Sequence, residues 1–178
     1  MGYEIENGIP IFYLTAPKEE RWKAHIVDLS KPVASPEPLL VQSTTQTPLL
    51  YRRGIHISSG KQKAGKTFYN SILVSALLNE SGFFNLVPTR NNFKVLFADT
   101  EQDMSDTQEV IRRIHRINDW PLDKNVSTLT GSNLRELSAA ERIQIIEESV
   151  EAIRPDVLFI DGIVDLCLDF NDLAEGHA

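Results

Sequence analysis

The chain is poor in cysteine, has no long apolar run, and carries too few basic residues to balance its acids. One cysteine, Cys167, in 178 residues closes no internal disulfide, so an export-type disulfide framework is not expected. The four histidines, His25, His56, His115 and His177, stand too far apart for a local metal motif, which removes zinc from the reading. No apolar stretch approaches the roughly 20 residues of a membrane span. The opening MGYEIENGIP has neither the basic nor the apolar region of a signal peptide. These absences lead us to expect a reduced, cytoplasmic protein without a membrane partner. With 18 Lys and Arg against 25 Asp and Glu, the net charge is -7, which argues against gripping nucleic acid through the overall field and leaves room only for a local basic loop.

The composition that is present, 42% hydrophobic and 24% charged, is that of an ordinary globular chain with one core. Residues 1–50 read as a lead-in segment. Thr15, Pro17 and the stripe Trp22, Ile26, Leu29 predict a short amphipathic helix. Pro32, Pro36, Pro38 and Pro48 then predict a loop with short extended pieces over 31–48. Residues 51–178 alternate between strand and helix. GIHISS (54–59) reads as a first strand, FYNSILVSALLN (68–79) as a buried helix, and KVLFAD (94–99) as a strand of the continuously apolar kind found in buried parallel sheets. Ser105 and Gln108 form a capping box ahead of a second helix. NVSTLTG (125–131) is a weaker third strand. Ser138 and Glu141 cap a helix with Ile143, Ile146, Val150 and Ile153 on one face, and DVLFIDG (156–162) is a fourth strand. The expected fold is α/β, a mostly parallel sheet with helices on both faces.

The turn between the first strand and first helix reads Gly60, Lys61, Gln62, Lys63, Ala64, Gly65, Lys66, Thr67, with Phe68 next in line. Glycine, four residues, then Gly-Lys-Thr is the phosphate-binding loop pattern. An accidental match in a chain of this composition has a probability of roughly one per cent. The two glycines are expected to let successive amides converge on phosphate oxygens, Lys66 to place its ammonium at the β- and γ-phosphates, and Thr67 to ligate magnesium. Two acids follow on strand ends. Asp161 suits the magnesium site, and Glu101, just past the second strand, suits a base that orients water.

GKQKAGKT, VLFADTEQ and DVLFIDGIVDL with DFND downstream resemble the RecA-like P-loop ATPases, and more closely the RepA-like AAA-type ATPases of bacterial plasmids and mobile elements. The resemblance covers residues from about 54 to 173. It casts Glu101 as the catalytic glutamate and Asp161 as the Walker B aspartate, and it implies a Mg-dependent hydrolase of ATP in DNA replication or mobilisation, working as a ring or filament of identical subunits. It also implies further strands beyond the Walker B strand, one lying inside the sheet, so the core is expected to be incomplete at its C-terminus, and any DNA contact to lie in segments absent here. Three alternatives stay open. Lys61 directly after the first glycine resembles the signature lysine of the ParA and MinD ATPases, although Gln62-Lys63 replaces their Gly-Gly. A non-hydrolysing module that uses nucleotide to dock a partner fits the same loop. A small-molecule kinase is the weakest, since no arginine-rich lid is evident. Other residues admit two uses: Arg112, Arg113, His115 and Arg116 as a nucleic-acid face or a solvated one, Trp120 as an adenine platform or a core residue, and Tyr51, Arg52 and Arg53 as nucleotide contacts or surface.

Overall fold

The computed structural model describes residues 2–6, 9–13, 26, 29–30, 33–61 and 63–166. Most of the expected helix around Trp22, together with Gln62, Cys167, Asn171 and Asp172, lies outside the described residues. Contacts divide the chain into Met1–Ser35 and Pro36–Ala178. In the first unit, β1 (Gly2–Glu6) and β2 (Ile9–Tyr13) form an antiparallel pair.

The second unit begins with β3 (Pro38–Gln42) and β4 (Pro48–Tyr51), which with β5 (Leu86–Pro88) form an antiparallel sheet in the order β4-β3-β5. Much of this was expected to be proline-rich loop. Pro38 and Pro48, however, occupy the first positions of their strands, where a missing amide costs least, and Leu39, Leu40 and Val41 are buried in the core. The second sheet is wholly parallel: β6 (Val95–Asp99) lies between β7 (Leu129–Asn133) and β8 (Val157–Asp161). The third strand thus runs to Asn133, beyond the 125–131 expected. Three helices, α1 (Lys66–Leu78), α2 (Met104–Ile117) and α3 (Ala139–Ile153), supply the remaining layers.

Alternation along the strands distributes the core. Val95 and Phe97 pack with Leu73, Val74, Val110 and Ile114 of α1 and α2, whereas Ala98 packs with Leu134, just past β7, and with Ile146 of α3. The sheet is therefore flanked by helices, as period-two patterning demands of strands buried on both faces. The Ser138–Glu141 capping box forms in full. The one expected at Ser105 and Gln108 does not: α2 starts earlier, with Asp103 at the cap, whose carbonyl accepts the amides of Asp106 and Thr107.

Residues 54–59 are not a strand, contrary to the expectation. Ile55 and Ile57 are 90% and 77% exposed. A β-strand exists only through its ladder partners, and among the described residues nothing pairs with this segment or with the outer edge of β8.

Candidate functional site

The three parallel strands end on one row of polar residues. The register sets Asn133 beside Asp99 and Asp99 beside Asp161. Equivalent positions in parallel strands point to the same face, so these three side chains share the C-terminal edge of the sheet, the edge where α/β folds gather ligands. Asp99 is fully buried and Asp161 nearly so.

Helix α1 enters this edge from the loop 60–67. Its N-cap, Gly65, has φ 83°, a left-handed conformation that glycine adopts without penalty. Gly60 does not have positive φ; among the loop's described residues, Lys63 at 62° is also left-handed. Of the two glycines expected to permit conformations closed to other residues, only Gly65 adopts a left-handed one. The amide of Ala64 closes a turn onto the carbonyl of Lys61 at 3.1 Å. No side chain caps α1, and its first turn holds no acid, so its N-terminal amides and dipole face the loop uncompensated. A cavity of about 590 Å³ opens there, lined by residues 57–60, 64–66 and Tyr69. Lys61 and Lys63 are exposed, Lys66 is half-buried, and none of the three is paired with an acid among the described residues. Phe68 is 54% exposed, with the guanidinium of Arg113 5.5 Å from its ring.

Beside Lys66, the Thr67 hydroxyl donates to Asp161 Oδ2 at 2.7 Å, joining residues 94 positions apart. The Gln102 side-chain amide lies 3.5 Å from the same Thr67 oxygen. Glu101 is exposed, and its carboxylate makes no hydrogen bond among the described residues. Its Cγ, however, lies 2.6 Å from where a Cβ on Gly162 would stand, and the same Cβ would be 2.3 Å from Thr100 Oγ1. With φ 99°, position 162 accepts glycine alone, and that lets the β6 and β8 ends close on each other. Thr100 completes the closure: its amide and hydroxyl both donate to the Asp161 carbonyl, and the hydroxyl also donates to the Gly162 carbonyl at 2.7 Å.

The structure thus brings Lys66, Thr67 and Asp161 together, with Glu101 alongside Gly162. Gln102 and Asn133 went unrecognised in the sequence. Gln102 stands next to Glu101 in the quoted run, and Asn133 lay two residues past the expected strand end, which hid its place in the row. The other candidates fall elsewhere. Trp120 meets His115 edge-on near Pro121 and Phe93, at the opposite end of the parallel sheet from Thr67, so it packs on the core and is no platform for a base bound at the loop. Arg112 and Arg116 both pair with Glu109, and their hydrogen bonds hold that carboxyl below its usual range. Arg113 donates to Ser71, Arg52 pairs with Glu37 at 2.7 Å, and Tyr51 stacks on His56. Among the described residues no helix is long and apolar enough to cross a membrane. No family model, curated protein or solved structure matches the chain.

Proposed function

We propose that the second unit is a P-loop domain of the RecA-like kind that binds Mg-ATP at the loop 60–67 and hydrolyses it by attack of water on the γ-phosphate. The observation that carries this reading is the meeting of Thr67 with Asp161 at 2.7 Å, beside three lysines that have no acidic partner among the described residues. A hydroxyl at the start of a helix and a buried carboxylate on a neighbouring strand end are hard oxygen donors at the mouth of an anion-ready turn. They fit magnesium, which takes one or two protein oxygens and completes its shell with phosphate and water. A dedicated cage is therefore unnecessary, and no cluster of three His, Cys, Asp or Glu occurs among the described residues. Held by Thr67 and Asp161, the ion would offset the negative charge that builds on the phosphates.

The chain's own residues divide the remaining work. The loop amides and Lys66 bind and orient the phosphates; Thr67 and Asp161 hold the metal side; Glu101, whose carboxylate makes no hydrogen bond among the described residues, orients the attacking water. A role in replication or mobilisation, assembly into rings or filaments and contact with DNA extend this reading through the resemblance to RepA-like ATPases. A binding-only module uses the same loop, and the free state of the Glu101 carboxylate suits it equally. ATP affinity and single-turnover hydrolysis, measured on the parent, Lys66→Ala and Glu101→Gln, decide between them. Lys66→Ala should weaken ATP binding at least roughly tenfold through loss of charge-assisted contacts. Glu101→Gln should retain binding and lose roughly 10² in rate. Full affinity in a folded Lys66→Ala overturns the phosphate site, and a parent that binds but never hydrolyses leaves the docking module.

A further inference from the structure

We propose that Gln102 is the residue through which the site tells a nucleoside triphosphate from a diphosphate, with Asp99 and Asn133 as the positioning residues that hold it in place. This rests on the reading of the loop 60–67 as a triphosphate site.

The backbone of Gln102 is held from two directions. Its amide donates to Asp99 Oδ1 at 3.0 Å, and its carbonyl accepts from Asn133 Nδ2 at 2.8 Å. The two holders are themselves bridged by Thr107, whose hydroxyl donates to Asp99 Oδ2 at 2.8 Å and accepts from Asn133 Nδ2 at 2.7 Å. Asp99 also takes the amide of Glu101 at 3.1 Å. Asp99 and Thr107 are buried and Asn133 half-buried, and a shielded, mutually bonded set of polar groups resists rearrangement. With both backbone groups of Gln102 fixed, its side chain is the part left to move.

That side chain crosses towards Thr67 and stops 3.5 Å short of its oxygen, the outer limit of a hydrogen bond. Thr67 has already given its proton to Asp161, so only a lone pair faces the Gln102 amide. Such a long contact is exchanged at little cost for a charged acceptor. A phosphate oxygen brought beside Thr67 would come within reach of the amide, and with Thr67 and Asp161 as the metal side the γ-phosphate, the group that distinguishes ATP from ADP, would lie there. Were Gln102 merely a turn residue resting on its nearest polar neighbour, removing it would affect both nucleotides alike.

The test is calorimetric titration of the full chain with Mg-ATP and Mg-ADP, with melting temperatures measured alongside. The parent should prefer ATP. Gln102→Ala removes a half-buried side chain whose one hydrogen bond among the described residues is the long contact to Thr67, so the variant should fold. It should lose roughly tenfold or more in ATP affinity while ADP affinity stays at the parent value. Asn133→Ala should lower the ATP preference in the same direction while leaving ADP binding intact. A parent that binds neither nucleotide overturns the triphosphate reading and this inference together. A parent without preference for ATP, or one whose preference survives in Gln102→Ala, overturns the role of Gln102 and leaves the site standing. If Asn133→Ala weakens both nucleotides equally, Asn133 is only structural.

Discussion

Two strands of this chain are almost the same peptide. VLFAD in β6 and VLFID in β8 differ at one position, Ala98 against Ile160, and they pair in register from Val95↔Val157 to Asp99↔Asp161. Yet every residue of β6 is buried, whereas in β8 only Asp161 is. The terminal aspartates also part ways. Asp99 spends its oxygens on the Glu101 and Gln102 amides and the Thr107 hydroxyl; Asp161 gives one to Thr67 of the phosphate-like loop. Neighbours decide the difference. β6 has a strand on each side and helices on both faces, while β8 has an unpaired outer edge among the described residues. A continuously apolar strand at an edge is sequence suited to an interior position, and natural sheets normally cover or charge such edges.

Removing the stacked phenylalanines tests this contrast most strongly. Phe97 and Phe159 lie 6.4 Å apart between centroids, but only Phe97 is fully buried. Phe97→Ala should cost about 3–5 kcal/mol and Phe159→Ala about 1.5–3 kcal/mol, read from urea midpoints at constant slope. Equal costs would mean that the β8 edge is covered in solution, which breaks the comparison.

The aspartates should separate by kind of effect. Asp99→Ala strands three donors and should destabilise by about 1–3 kcal/mol, visible in the same unfolding curves. Asp161→Asn keeps an acceptor for Thr67 and should change stability by less than about 1 kcal/mol, while the magnesium-dependent part of ATP affinity falls. Matching stability losses would make both residues structural.

The smallest effect lies at the other end of the pair. Burial pushes the Asp156 carboxyl up, but the Lys94 amide at 2.9 Å and the Arg90 guanidinium outweigh it and hold the group below its usual 3.8. A depressed carboxyl stabilises the folded state at neutral pH, and that contribution fades as pH falls below the unfolded value and through the folded one. Asp156→Asn should therefore cost about 0.5–1 kcal/mol at pH 7, discounted for the solvent-exposed Arg90. The deficit should close below about pH 4, a convergence that thermal melts across pH would show. A deficit unchanged at acid pH would assign the effect to packing.

The parallel strands β6 and β8 were legible because their apolar runs end in acids, and α3 because Ser138 and Glu141 spell its cap. The segment around Ile55 and Ile57 misled, since alternation shows that a strand is possible without supplying a partner for its ladder. At α2 the visible Ser105–Gln108 pattern lost to Asp103, whose carbonyl was free to take the first amides. Strand β3 was hidden by prolines that turned out to sit at strand starts.

By itself the sequence determined the local items: the glycine at 65, the Lys66–Thr67 pair at the head of a helix, and the acids at strand ends. These follow from backbone permissiveness, side-chain chemistry and period-two burial, all of which act over a few residues. Only the tertiary structure decided that Asp161 meets Thr67 and that Asn133 completes the row and holds Gln102. The pairs with Asn133 and Thr67 join residues 31 and 94 positions apart, and no local pattern encodes these two, because strand order in the sheet selects which chemically equivalent carboxylate faces the loop.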